Sequence, residues 1–240
     1  YIDIIHSHGK GAGVYSRVLG LLIGKPVIHT FHGIHYKRYS YLKQKLYFII
    51  ERIMSWFTWS IINVSVAEHE EGMRLKLFPK SKAQVIYNGV NIREIRSSSM
   101  EIELRDLINS IKKDNTLICT VARFDYVKGI DVAIQAMKSL KKYHKNFKYI
   151  LIGDGELKKA IIKEINDCRL NNQILLLGFR DDVPGILKMM DIYLSPSREE
   201  SMSLTLLEAK SSGLPIVATD IPGNRDLIKG GLLGRSEDPL

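Results

Sequence analysis

Glu200 and Glu208 stand eight positions apart in the stretch SREESMSLTLLEAKSSGLP, residues 197–215. Pro196, Ser197 and the REES run close a strand-like segment; Ser201 or Ser203 can cap a helix, and Gly213 with Pro215 ends the helix that begins near Leu204. Glu200 therefore belongs to the strand-to-helix loop, and Glu208 lies about one turn into the helix. The first turn, at Ser203, Leu204 and Thr205, presents unpaired backbone N–H groups and the positive end of the helix dipole, a seat for a phosphate. At a rise of about 1.5 Å per residue, Glu208 falls roughly 6–8 Å beyond that seat, which suits the ribose of a nucleoside diphosphate. A carboxylate accepts two hydrogen bonds and a ribose offers two adjacent hydroxyl donors. Glu200, on the other side, would face whatever the diphosphate carries, and a hydroxyl-rich sugar fits. A solvated loop charge and a helix-surface charge would give the same letters, so the spacing needs a second element beside it.

That element is VARFDYVKGIDVAIQAM, in which a strand ends at Arg123, the chain turns, and a helix starts near Gly129. Arg123 and Lys128 then share one loop at the carboxyl edge of a sheet, where two fixed cations could neutralise a departing diphosphate. Either alone reads equally well as a surface charge.

The elements that must hold these loops form a βα repeat. From residue 114 onward, apolar runs at 116–123, 147–154, 173–179, 191–197 and 215–220 alternate with segments whose apolar residues recur every three or four positions. Four further strand-like runs, IDIIHSH, KPVIHTFH, SIINVSV and AQVIYN, precede them with helical material between. The fold class is α/β, with two parallel-sheet units facing a cleft at the carboxyl ends of their strands. The weakly patterned stretch 88–115, with its three consecutive serines, marks the boundary: 1–95 is one domain, 96–115 a linker and 116–240 the second domain. Both ends look cut, since the chain starts without Met in mid-strand and stops at GGLLGRSEDPL, so a longer parent protein is expected.

Composition narrows the classes. Among 240 residues the formal charge is +9, which favours anionic partners. Cys119 and Cys168 have no CxxC spacing, so two unpaired thiols in a reducing cytosol are expected rather than disulfides or zinc. No secretory signal is visible and no run is long enough to span a bilayer, so the chain reads as soluble or peripheral. His6, His8, His29, His32 and His35 crowd the first 35 residues, but no neighbouring Cys, Asp or Glu completes a metal-ligand spacing. The stretch 36–60 interleaves Lys37, Arg38, Lys43, Lys45 and Arg52 with tyrosines and both tryptophans, against the single acid Glu51. That pattern fits an interfacial helix on an anionic leaflet, or a core helix with one wet face. No nucleic-acid-binding motif accompanies it. GKGAGVYS, residues 9–16, matches neither glycine-rich phosphate pattern and reads as a tight turn into a helix; GDG at 153–155 reads as a strand-to-helix turn.

VIYNGVN, VARFDYVKGIDVAIQAM, ILIGDGELKKAI, LLLGFRDDVPGIL and DIYLSPSREESMSLTLLEAKSSGLPIVATDIPG resemble, in order and spacing, the retaining glycosyltransferases of family 4. The early IIHSHGKGAGVYSRVLGLLIGKPVIHTFHG is similar to the branch that builds bacterial capsule and lipopolysaccharide chains. The resemblance implies a GT-B fold of two Rossmann-like domains. It also implies transfer of a sugar from a nucleotide-sugar, expected to be UDP-linked, to a hydroxyl of a surface glycan or lipid-linked acceptor, without a metal or other cofactor. It assigns Glu200 to the donor sugar, Glu208 to the ribose, Arg123 and Lys128 to the diphosphate, and His32, in the T-x-H-G stretch, to the sugar. The implied location is cytoplasmic, peripheral on the inner membrane face. Ser201 and Ser203 depart from the family's glycines after the first glutamate. A UDP-sugar 2-epimerase on the same fold, or a non-catalytic nucleotide- and membrane-binding piece, fits the same residues.

Overall fold

The computed structural model describes residues 1–228 and 232–234. The chain divides into two compact units, Tyr1–Asn88 and Gly89–Leu240.

The first unit runs β1 (Ile5–His8), α1 (Lys10–Ile23), β2 (Val27–Thr30), α2 (Tyr41–Trp56), β3 (Ser60–Asn63), α3 (Val66–Arg74) and β4 (Ala83–Val85). Its four strands pair in the order β1-β2-β3-β4, all parallel. Because each crossover leads to the next strand in the same direction, right-handed connections put α1, α2 and α3 on one face. Phe31, Ile61, Leu77 and Phe78 form its core. Ser65 caps α3, its hydroxyl accepting from Glu68 N at 3.1 Å, and the Glu68 carboxylate reaches back to accept from Val64 N, one residue before the cap, at 2.8 Å. The same carboxylate accepts from Gly33 N at 2.5 Å, anchoring the turn that follows His32.

The second unit opens with α4 (Ile92–Ser97) and α5 (Ile102–Lys112). It continues through β5 (Thr116–Val121), α6 (Ile130–Leu140), β6 (Phe147–Ile152), α7 (Lys158–Asp167), β7 (Ile174–Gly178), α8 (Val183–Leu187), β8 (Ile192–Ser195), α9 (Leu204–Ser211), β9 (Ile216–Thr219), α10 (Pro222–Arg225) and β10 (Leu232–Gly234). The six parallel strands are ordered β10-β9-β8-β5-β6-β7. Cover on both faces explains the unbroken apolar runs of β5 and β6, where Leu117, Cys119, Tyr149, Ile150 and Leu151 are wholly buried. Burial holds the Cys119 thiol far above its usual range. Cys119 and Cys168 are both free thiols.

β5 sits between β8 and β6, with Ile118 opposite Ile192 and Cys119 opposite Tyr193. From β5 the chain winds outward through β6 to β7, then returns to β8 and winds the other way. The loops leaving β5 and β8 therefore flank the point where strand order reverses, the crevice in which open α/β sheets hold ligands.

The expected boundaries need correction. Residues 96–115, read from sequence as a linker, contain the end of α4 and all of α5, and the contact boundary falls between Asn88 and Gly89. Leu104 and Ile108 of α5 are buried, and α4 packs on α8 and α9. The serines and charges that suggested a linker occupy the turn between two short helices and their wet faces. No helix among the described residues is long and apolar enough to cross a membrane.

Candidate active site

The β5–α6 loop turns at a 3-10 segment, Tyr126–Lys128, capped by Asp125, whose side chain accepts from Lys128 N at 3.2 Å. Gly129 ends that turn at φ 63°, and a Cβ there would lie 2.1 Å from the Pro196 carbonyl oxygen. Only glycine permits both the left-handed backbone and this approach of one loop to the other. The loops are also bonded. Arg198 N donates to Val127 O at 2.7 Å, and the Arg198 guanidinium donates to Tyr126 O at 2.9 Å and to both Asp131 oxygens at 2.8 and 2.5 Å. The guanidinium lies 4.3 Å from the centre of the Tyr126 ring. The hydrogen bond from Arg198 holds the Asp131 carboxyl below its ordinary range.

Lys128 and Glu200 meet across these loops. The ammonium donates to the two carboxylate oxygens at 2.7 and 3.1 Å, with both side chains largely sheltered. Glu200 is fixed from behind by Gly223 of α10, where a Cβ would lie 2.1 Å from the Glu200 carbonyl oxygen. Arg123 behaves differently: its side chain is 80% exposed and pairs with Asp125 at 3.1 Å.

Ser203 caps α9, accepting from Leu206 N at 3.3 Å, which leaves the N–H groups of Leu204 and Thr205 without intrahelical acceptors. Thr205 Oγ1 accepts from Tyr193 at 2.8 Å and lies 3.1 Å from Ser203 Oγ. Beside this first turn is a recess of about 10 Å³ lined by Lys128, Ser195, Ser197, Ser203 and Thr205. Hydroxyls, one ammonium and a helix N-terminus converge there, a set of donors suited to anionic oxygen.

Glu208 lies farther along α9, half-buried, and burial raises its carboxyl above the ordinary glutamate range. Among the described residues neither a hydrogen-bond donor nor a cation reaches its carboxylate. It lines a cleft of about 530 Å³ between α4, α8 and α9, with Asn91, Glu94, Asp182, Pro184 and Leu204. Arg180 donates to both Asp182 oxygens at 2.8 and 2.7 Å and holds that carboxyl below its usual value. The cleft is rich in acceptors and poor in cations, so it suits hydroxyl and N–H donors, whereas the recess at the start of α9 suits phosphate.

Lys128, Glu200, Ser203, Thr205 and Glu208 are thus gathered along one line, from the β5–β8 switch point down α9, while Arg123 stands at its rim. Arg198, Thr205's partner Tyr193 and the α10 glycine, Gly223, had not been singled out from sequence. The signals were available in REES, DIYLSPS and IPG, but each becomes meaningful only once two loops distant in sequence are adjacent.

His32 belongs to the first unit. Its Nε2 lies 2.9 Å from His8 Nδ1, and the two rings stack at 5.2 Å between centres. Burial, then the neighbouring His8 and His6, lower its basicity. His29 is wholly buried, 2.9 Å from Ser7 Oγ, and burial drives its pKa down to about 3. Among the described residues no group of three or more His, Cys, Asp or Glu side chains is arranged to hold a metal ion.

Residues 103–239 match the family described as Glycosyl transferases group 1, and residues 1–94 match Glycosyltransferase Family 4. Over 232 residues the chain is 30% identical to the Escherichia coli UDP-Gal:alpha-D-GlcNAc-diphosphoundecaprenol alpha-1,3-galactosyltransferase, covering 95% of this chain and 60% of that protein. It is 28% identical to the E. coli O-antigen biosynthesis glycosyltransferase WclY, covering 92% of this chain and 62% of WclY. The chain thus spans about 60% of the length of these relatives. The crystal structure of Anabaena HepE in complex with UDP-glucose superposes with a TM-score of 0.85 at 20% identity, covering 99% of this chain and 66% of HepE, a likeness of GT-B fold alone. The chain belongs to the glycosyl transferases of group 1, preceded by a segment of Glycosyltransferase Family 4.

Proposed function

We propose that the second unit binds a UDP-linked sugar and that the whole protein transfers that sugar, with retention of anomeric configuration, to a hydroxyl of a bacterial surface glycan or lipid-linked acceptor. The observation that carries this reading is the unpaired, half-buried Glu208 in the acceptor-rich cleft beside the donor-rich first turn of α9. Uracil and ribose offer N–H and O–H donors to the cleft, and the diphosphate offers oxygens to Lys128 and the N–H groups of Leu204 and Thr205. The substrates in the name of the similar E. coli galactosyltransferase support UDP and a lipid-linked acceptor.

In the reaction so proposed, the bond between the anomeric carbon and the diphosphate oxygen breaks, and UDP departs with the electron pair. Lys128, Arg123 and the start of α9 offset the charge gathering on that oxygen. The acceptor oxygen bonds to the anomeric carbon on the face UDP leaves, and its proton passes to the departing phosphate. Glu200 orients the sugar through hydroxyl hydrogen bonds, held ready by Lys128. His32 enters on the family resemblance, and His32→Ala is expected to lower kcat with UDP affinity unchanged. Association with an anionic inner membrane face is part of the same proposal.

The test is a transfer assay with the whole protein, a panel of UDP-sugars and hydroxyl acceptors, followed by NMR of the product linkage. UDP release that requires acceptor and gives a retained linkage supports the proposal. A sugar epimerised without acceptor, or no turnover with any donor the protein binds, contradicts it.

A further inference from the structure

Three side-chain hydroxyls stand in a row at the start of α9. Tyr193 of β8 donates to Thr205 Oγ1 at 2.8 Å, and Thr205 Oγ1 lies 3.1 Å from Ser203 Oγ, which also accepts from Leu206 N at 3.3 Å. Tyr193 and Ser203 are both buried. Burial holds the phenol far above the usual tyrosine range, so its proton is in place at any working pH.

Proton count orders the row. Each hydroxyl carries one proton and two lone pairs. The Tyr193 proton is spent on Thr205, one proton closes the contact between Thr205 and Ser203, and one is left over. If Thr205 donates, Ser203 accepts from Thr205 and Leu206 and keeps its own proton. If Ser203 donates, Thr205 accepts from Tyr193 and Ser203 and keeps its own. Either way the hydroxyl with the spare proton has both lone pairs filled and can only donate. Among the described residues no other acceptor meets either hydroxyl.

Both residues line the recess of about 10 Å³, room for a single oxygen-sized group. Ser195 and Ser197, on the same wall, are 4% and 5% exposed, and among the described residues no hydrogen bond ends on either side chain. The Lys128 ammonium completes the lining, beside the unpaired N–H groups of Leu204 and Thr205. Such a space suits an oxygen that brings lone pairs and no proton, which describes a phosphate oxygen better than a sugar hydroxyl.

We propose that the Tyr193–Thr205–Ser203 row is a donor-only socket for one oxygen of the diphosphate, with Tyr193 as its positioning residue; this rests on the reading that a nucleoside diphosphate seats at the start of α9. Tyr193 touches no phosphate. It fills a lone pair of Thr205 that would otherwise be open to face the incoming oxygen and repel it.

The test is calorimetric titration of the whole protein with UDP, uridine and inorganic pyrophosphate, with a thermal melt of each variant. Tyr193→Phe should weaken UDP and pyrophosphate about fivefold and leave uridine unchanged. Thr205→Val should weaken both about tenfold and lower Tm, because it orphans the buried phenol, whereas Thr205→Ser keeps the row and the parent affinity. Combining Tyr193→Phe with Thr205→Val removes both partners, so Tm should recover while affinity for the two phosphate ligands stays low. A pair that serves structure alone would recover both, and that result overturns the proposal. So do equal losses for uridine and UDP, or UDP bound as tightly by folded Tyr193→Phe and Thr205→Val as by the parent; in the latter case the nucleotide reading stands without the socket. Pyrophosphate that binds with the same variant dependence when UDP does not bind upholds the socket and removes the nucleotide. Binding of neither removes both.

Discussion

The Lys128 ammonium sits 2.7 and 3.1 Å from the two carboxylate oxygens of Glu200, although 72 residues separate them. Two groups that sequence assigns to different parts of a donor, diphosphate and sugar, are therefore one ion pair at the switch point of the sheet. In the proposed reading, Glu200 neutralises the lysine that would receive a diphosphate, and the arriving phosphate oxygens would compete with the carboxylate for the same three N–H donors.

Lys128→Ala should weaken UDP binding roughly ten- to a hundredfold, the usual worth of a hydrogen bond to a charged group. Glu200→Gln removes the competing charge, so plain UDP should bind at least as tightly as to the parent, while the intact UDP-sugar loses affinity. Calorimetry on both single variants and the double variant reads the coupling. Additive effects, or equal effects on UDP and UDP-sugar, would sever the two residues.

Glu208 should reveal itself through pH. Its carboxyl is raised by burial, so the folded chain favours the protonated form more than the unfolded chain does. That preference is fully present below the ordinary glutamate pKa and is lost as pH rises through the raised value. At neutral pH the ionised carboxylate thus costs apo stability, and Glu208→Gln should raise the apo Tm there, with the gain vanishing in acid. UDP binding should run the other way, falling as pH drops through the raised pKa. A Tm difference independent of pH would contradict the burial argument.

His29 gives a second pH signature, in the first unit. With its pKa down at about 3, it stays neutral in the fold while the unfolded chain takes up a proton below pH about 6.5. Stability is then fully present above that unfolded value and falls with acidification at about 1.4 kcal/mol per pH unit until pH 3. His29→Gln, a neutral ring-sized replacement, should flatten urea-melt stability between pH 6 and pH 4. An unchanged slope would assign acid lability to other groups.

Gly129→Ala adds both a left-handed strain and a methyl 2.1 Å from the Pro196 oxygen. The backbone term alone costs about 1–2 kcal/mol, and the contact forces the loops apart. The variant should lower Tm and loosen UDP binding together. A stable variant with parent affinity would mean that the two loops need not touch.

Arg17 and Glu51 are respectively 0% and 2% exposed, and removing one leaves the other as a buried charge. Arg17→Ala should cost about 3–5 kcal/mol, whereas Arg17→Met combined with Glu51→Leu should be near neutral. Chemical denaturation of the three proteins distinguishes a needed pair from a tolerated one.

Much of this architecture was legible in the sequence. All nine strand-like runs named from sequence are strands; in β5 and β6, cover on both faces leaves unbroken apolar letters. A serine cap, Ser201 or Ser203, and the helix after it followed from local chemistry, as did the turn at Gly129; the structure selects Ser203. What was not legible depends on contacts between distant segments. Arg198 reads as one more charge in REES until Asp131 and Tyr126 are beside it, and residues 96–115 read as linker until Leu104 and Ile108 find a core. The packing of α1, whose buried residues are Gly13, Arg17 and Gly20, was hidden for a related reason: helical periodicity reveals a stripe, but not which side of it the sheet occupies.

The central claim is tested most directly by calorimetric titration of UDP into the parent chain and Glu208→Ala at neutral pH. Saturable binding to the parent, weakened at least tenfold by the variant while circular dichroism is unchanged, is the predicted result. UDP binding of equal strength to both would contradict a ribose held by Glu208.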